Sequence, residues 1–307
     1  LLKIKDLQVK SYNSKEIYLK NNKDIKAIRK ELDFDYMLRG TYQKENDDIN
    51  LKVRLVKTKD GKQIWSNEYF YQQTDVFKIQ TEIAKKVSEE LRAAITPLEK
   101  QLIEKIPTFN LTAYDFYLRG REEFRKHQMN NVERDALKNA EKYFHKALEY
   151  DPKYAQAYAG LALVYKNKYR GREYFSETSL DSMLILADLA LQYDRTNEQA
   201  FSVKGLYHWY RGNKEKALRN YNKALELNPN LWEAYRGKAT LFLDSDPLKS
   251  IINFQKAASL VEGSDLKMIL KEMISAYLWI GLTEEAEKYN YEALQLSGDS
   301  LLYYSSL

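Results

Sequence analysis

The feature that most constrains this chain is a spacing. Ala140, Phe144, Ala147 and Pro152 stand 4, 3 and 5 residues apart, and Ala217, Tyr221, Ala224 and Pro229 repeat the same spacings. An aromatic follows each proline by six residues, Tyr158 in one case and Tyr235 in the other. Steps of three and four put the two alanines and the aromatic on one face of a helix. Alanine at a crossing lets two backbones approach, and the aromatic fills the space between them. Proline cannot continue the finished helix, and its fixed φ suits the turn. A self-similar unit of about 34 residues built this way stacks into a solenoid, each helix pair burying its apolar face against the next.

The pattern predicts five helix pairs. First helices are expected near residues 111–127, 154–168, 198–211, 231–244 and 266–280, with partners near 133–150, 179–193, 214–227, 248–261 and 283–296. Three places depart from it. The first pair has a weak first helix and an enlarged turn, "HQMNNVERD". The second carries an insertion, "NKYRGREYFSETSLDS", with Met183 and Ala187 at the alanine and aromatic places. The fifth has Asn290 where an aromatic is usual, and "SLLYYSSL" reads as the start of a further helix. "YAGLALVY", "ALRNYNKALELNP" and "AYLWIGLTEEAEKYNYEAL" resemble tetratricopeptide repeats. Tyr158, Leu161, Ala162 and Tyr165 match that family's first helix, and residues 217–229, preceded by the turn glycine Gly212, match its second.

Stacked pairs leave a concave face lined by their first helices. Counting from the motif anchors, that face is expected to carry Lys166, Asn167, Trp209, Tyr210, Arg236, Lys271, Leu278 and Trp279. Aromatics beside basic residues make a groove for an extended peptide or a partner helix. The competing reading packs Trp209 and Trp279 against neighbouring repeats, because tryptophan at helical spacing belongs to a core as readily as to a site. Some tetratricopeptide domains clamp a C-terminal carboxylate with lysine, asparagine and arginine at set places on successive first helices. That set is not found, which argues against a chaperone-tail receptor.

Residues 1–106 have a different texture. "LQVKSY" alternates like a strand. "DIKAIRKEL" reads as a short helix capped by Asp24, with Ile25, Ile28 and Leu32 on one face. "FDYMLRGTYQ", "INLKVRLVKT" and "KQIWSNEYFY" alternate as strands separated by the turns "KENDD" and "KDG", an antiparallel meander. From Thr74 a helix of about 20 residues is expected, interrupted at Pro97. The pieces "IRKELDFDYMLRGTY", "LVKTKDGKQIWSNEYF" and "DVFKIQTEIAKKVSEEL" resemble the TolB-like amino-terminal domain of bacterial multidomain signalling proteins. "TFNLTAYDFYLRGREEF" resembles the segment that joins this domain to tetratricopeptide repeats. The resemblance implies a core strand and helix ahead of "LQVKSY", so the domain is expected to lack both. The expected fold class is an α+β domain (an antiparallel sheet with helices) at 1–106, followed by an all-α tetratricopeptide-repeat solenoid at 107–307.

A length of 307 residues suits about two domains. Cysteine is absent and histidine occurs only at His127, His145 and His208, so disulfides, thiolate chemistry and histidine-rich metal sites are excluded. The net charge of +5 resides in residues 1–106, which hold 22 Lys+Arg against 17 Asp+Glu, whereas residues 107–307 balance at 27 each. Leu1–Lys62 is the most basic part, with 16 against 10, and reads first as a lysine-rich solvated face. No apolar run is long enough to span a membrane, and "LLKIKDLQVK" lacks the form of a signal peptide. There is no phosphate loop, nucleophile elbow or paired-histidine motif. The acidic pairs Glu89–Glu90, Glu122–Glu123 and Glu284–Glu285 are neighbours about 100° apart on a helix and cannot work as an acid–base pair. Arg119, Arg121, Arg170 and Arg172 read as surface residues of the joining helix and the insertion. No catalytic residue, cofactor, metal or small-molecule substrate is expected.

The resemblance implies a non-catalytic sensing and protein-interaction region of a bacterial signalling protein. Its partner would be a protein or peptide, and its effector, a nucleotide cyclase or a DNA-binding transcription regulator, would lie on the same polypeptide, often across a membrane. That arrangement puts the region on the extracytoplasmic (periplasmic) side, with a cytoplasmic place as the alternative. A second reading is a free-standing adaptor or scaffold with the same groove. A third is nucleic-acid binding through Leu1–Lys62 and its tyrosines, which predicts affinity falling steeply with salt.

Overall fold

A computed structural model of the chain describes residues 1–10, 34–45, 48–130, 134–170 and 177–297. The chain divides into two compact units. One comprises Leu1 with Ser11–Ile106, and the other Leu2–Lys10 with Pro107–Leu307. The repeat unit therefore takes up a segment from the start of the chain, which the pattern alone assigns to the first domain.

In the smaller unit, β1 (Tyr36–Glu45), β2 (Asp48–Lys57) and β3 (Gln63–Gln72) form an antiparallel sheet in the order β1-β2-β3. Val53 sits opposite Gly40 on one side and Asn67 on the other. Alternation sends Leu51 and Val53 of β2, and Trp65, Tyr69 and Tyr71 of β3, to one face. Ile79 and Ile83 of α1 (Val76–Glu90) pack on them, in a cluster centred on Val53, Tyr69 and Ile79. The β2–β3 turn closes where Gly61 takes φ +72° and the Asp60 carboxylate accepts the Lys62 N–H at 3.0 Å.

The expected helix after Thr74 is two helices. A 3-10 turn at Gln73–Asp75 leads into α1, which stops at Glu90, and α2 (Pro97–Glu104) starts afresh. Thr96 and Glu99 explain the restart through a reciprocal capping box, with the Thr96 hydroxyl accepting the Glu99 N–H and the Glu99 carboxylate accepting the Thr96 N–H. Proline at the first position of α2 loses no bond that the helix would have made. The helix expected at Asp24–Leu32 lies outside the described residues. Of the strand expected at "LQVKSY", residues 7–10 are described and form no strand.

The repeat unit contains ten helices among the described residues, in five pairs: α3 (Leu111–Asn130) with α4 (Arg134–Tyr150), α5 (Ala155–Arg170) with α6 (Glu177–Tyr193), α7 (Glu198–Tyr210) with α8 (Lys214–Leu227), α9 (Trp232–Phe242) with α10 (Pro247–Ala258), and α11 (Gly263–Trp279) with α12 (Thr283–Ser297). The weak first helix is complete. Ala113, Tyr117, Gly120 and Phe124 share one face of α3, and Tyr117 lies 5.9 Å from Phe144 and 5.1 Å from Tyr154 between ring centres.

The alanines of the spacing motif, Ala140, Ala147, Ala217 and Ala224, are fully buried. The aromatics between them are wedges. A Cβ added to Gly120 or to Gly160 would come within 2.7 Å of the Phe144 ring, and one added to Gly205 or Gly237 within 2.6 or 2.3 Å of Tyr221. Each ring thus occupies space that two flanking first helices leave by having no side chain there. In the second pair the aromatic's place holds Ala187, buried in one cluster with Ala162 and Val203. Ala187 itself has no exposed surface. Asn290, at the aromatic's place in the last pair, is also buried.

Candidate functional site

The first helices of the five pairs, with side chains from α4, α8 and α10, enclose an open cavity of about 1170 Å³. Of the eight residues expected on this face, Lys166, Asn167, Trp209, Tyr210 and Arg236 line it. Lys271, Leu278 and Trp279 are not among its lining residues. The helix α11 begins at Gly263, three residues ahead of the expected start, and turns Met268, Glu272 and Ser275 to the cavity. An offset of one residue on a helix is a rotation of about 100°, enough to carry Lys271 off the face. Leu278 and Trp279 stand at the end of α11, where Trp279 is 69% exposed.

Trp209 is both packed and presented. It rests against the buried cluster of Ala217, Tyr221 and Leu231, meets the Tyr210 ring at 5.0 Å with the two planes tilted by 43°, and still contributes to the cavity wall. Tyr210 in turn meets Tyr169 of α5 at 4.9 Å, an aromatic contact between two successive repeats.

Charged residues of both signs line the cavity: Lys138, Lys166 and Lys168 on α4 and α5, Arg236 and Glu233 on α9, and Asp265 and Glu272 on α11. Lys168 is held by Glu141, 2.7 Å away. Arg236 has a structural role, its Nε donating to Glu272 Oε2 at 2.8 Å across α9 and α11. Burial works against the guanidinium charge, and the Glu272 carboxylate more than offsets it. Burial also pushes the Glu233 carboxyl above the usual range, opposed by Lys166 and a Gln199 hydrogen bond and reinforced by Asp265. Asp265 is raised too, by burial first, with Lys166 and Arg236 pulling it back. The arrangement therefore leaves two carboxylates that a positively charged group entering the cavity would stabilise.

Sequence reasoning missed Trp232, Glu233, Asp265 and Glu272. Glu233 lies three residues before Arg236, on the same face of α9, which is the signal that finds it. Among the described residues no cluster of three or more His, Cys, Asp or Glu is arranged to hold a metal ion, and no helix is long and apolar enough to cross a membrane.

Known proteins share parts of this architecture. Residues 199–231 match the family model of the tetratricopeptide repeat, and residues 3–76 match that of the FlgO protein. The chain is 26% identical over 203 residues to "Putative adenylate cyclase 3" of Rhizobium meliloti (strain 1021), a match covering 65% of this chain and 33% of that protein. The chain thus spans about a third of the length of that relative. Among solved structures, TTC0263, a thermophilic TPR protein of Thermus thermophilus, superposes with a TM-score of 0.50 at 18% identity, covering 63% of this chain and 98% of that one. The first TPR of Spaghetti (RPAP3), solved bound to an HSP90 peptide, is similar at 19% identity with a TM-score of 0.34, over 45% of this chain and 95% of that one.

The molecule is therefore a small antiparallel sheet unit with a tetratricopeptide-repeat solenoid. The tetratricopeptide repeat is a protein–protein interaction fold.

Proposed function

We propose that this chain is the non-catalytic sensing and interaction region of a bacterial signalling or regulatory protein, and that its cavity binds an extended segment of a protein partner. The observation that carries the reading is the cavity itself, with Trp209 and Tyr210 in its wall together with Glu233 and Asp265. A segment that brings a basic side chain to those two carboxyls, beside Lys166, complements it. The relative described as an adenylate cyclase, of which this chain matches a third, supports an effector elsewhere on the polypeptide. The TolB-like character of residues 1–106 and a place on the extracytoplasmic side of a membrane belong to the same proposal.

The test is crosslinking through the cavity, with a photoreactive group at Asn167, followed by binding measurements with the captured partner. Replacing Glu233 by glutamine and Trp209 by leucine, which keeps an apolar side chain against Ala217, Tyr221 and Leu231, is expected to weaken binding at least tenfold, about 1.4 kcal/mol, with the solenoid still folded. Full affinity in that variant removes the cavity from consideration. Arg236 is left alone, because cutting its bond to Glu272 would disturb the repeat stack.

A further inference from the structure

The solenoid already holds one short segment, folded by turns at residues 2–3 and 5–6 and by the Leu7 N–H donating to the Ile4 carbonyl at 3.3 Å, at a place other than the cavity. We propose that the turn edge formed by Glu198, Asn230, Ser259 and Glu262 is a second peptide-binding site, filled in cis by Leu2–Lys10. This inference stands independently of the cavity reading.

The contacts are those of a peptide site. Asn230 directs its side-chain N–H₂ at three main-chain carbonyls, those of Leu2 (3.1 Å), Ile4 (3.3 Å) and Leu7 (2.9 Å), and its Oδ1 accepts the Val9 N–H at 3.1 Å. One carboxamide thus recognises the backbone of four residues, whatever their side chains. Asn230 is itself held in place, with its own N–H donated to Asn228 Oδ1 at 3.1 Å. Ile4 is the anchor and has no exposed surface, while Leu2, Lys5, Asp6 and Gln8 of the same segment stay exposed. The ends are fixed by charge: Lys3 Nζ lies 2.5 Å from Glu198, and Lys10 Nζ lies 3.1 Å from Glu262. Between them Gln8 Nε2 donates to the Ser259 carbonyl at 2.8 Å. Burial holds the Glu262 carboxyl above its usual range and Lys10 pulls it back, as expected of a carboxylate placed to receive a cation.

The segment adds neither helix nor strand to the repeats. It bridges the start of α7, the turn before α9 and the start of α11, and so touches three successive repeats from outside. The chemistry defines the ligand class: a short, turn-forming basic peptide with an aliphatic anchor, one lysine just before the anchor and another six residues after it. A single backbone-reading amide, one buried side chain and two rim ion pairs are the means of a dissociable contact.

The experiment uses the whole chain with its own segment opened, by Ile4→Asp in one variant and by Lys3→Glu with Lys10→Glu in another. A fluorescent peptide of sequence LLKIKDLQVK is titrated and followed by anisotropy. Both opened chains are expected to unfold cooperatively and to bind the peptide saturably. The unaltered chain should bind it at least about tenfold more weakly, because the tethered copy competes at an effective concentration on the order of millimolar. Adding Asn230→Ala to an opened chain should weaken the peptide about tenfold, a change of about 1.4 kcal/mol. Absence of saturable binding to a folded opened chain, or equal binding to the unaltered one, overturns the proposal. So does loss of cooperative unfolding in both opened chains, since the segment would then be a constituent of the fold.

Discussion

Gly205 and Tyr221 show how a single missing side chain is used. Alanine is the better helix former by about 1 kcal/mol, so propensity favours replacing Gly205. The Cβ would lie 2.6 Å from a ring that is itself buried, and overpacking of that kind costs about 1–3 kcal/mol. The second effect is the larger one, so Gly205→Ala is expected to lower the urea midpoint. Combining it with Tyr221→Leu should cost less than the sum of the two single changes, a coupling that a double-mutant cycle measures. Glu233 gives a second prediction. Burial raises its carboxyl, so the folded chain keeps a proton at pH values where the unfolded chain has lost it. The stability this residue contributes is full below the ordinary carboxylate pKa and is lost as the pH rises through the raised value. Glu233→Gln should therefore unfold at a higher temperature than the parent at neutral pH, with the difference closing in acid. A Tm difference independent of pH would refute the assignment.

Among the elements, α2 depends most visibly on a local signal. The Thr96 and Glu99 pair starts it, and Thr81 Oγ1 donating to the Ile103 carbonyl at 3.0 Å ties it to α1. Thr96→Ala is expected to cost about 1 kcal/mol, seen as faster amide exchange across residues 97–104. Unchanged protection there would mean that docking alone holds the helix. The T-x-x-E signature and Pro97 were both legible in the sequence. What the periodicity did not convey was the gap between Glu90 and Pro97, because amphipathic spacing continues through it without marking where the chain turns. The solenoid helices were legible almost to their ends, since each carries its own apolar stripe and its own turn residues, such as Gly212 with φ +72°.

For the whole molecule, the stacking of five pairs makes one cavity from residues that lie up to 148 positions apart, from His127 to Ser275. A cation entering near Glu233 and Asp265 would favour their ionised forms, so binding of a partner that places lysine or arginine there should tighten as the pH rises toward neutrality. The same binding should change little between low and moderate salt beyond the loss expected of a few ion pairs, whereas a nucleic acid would lose orders of magnitude. Isothermal titration at two pH values and two salt concentrations separates the cases, and a steep salt slope would move the proposal to nucleic acid.

The repeats follow from the order of residues alone. The alanines, the wedging aromatics and the prolines act within about 13 residues of one another, and helix formation and face are decided at that range. The helices that carry the cavity wall could be located in the same way, because first helices follow one another at a regular interval, and five of the lining residues were named from it. Three features instead required the packed chain: which residues of α11 face the cavity, the engagement of Arg236 by Glu272, and the place of Leu2–Lys10 beside Asn230. The last contact joins residues 228 positions apart through one amide and the backbone carbonyls. Such a contact leaves no period in the sequence, because the asparagine reads the main chain and the segment it holds needs just one buried side chain.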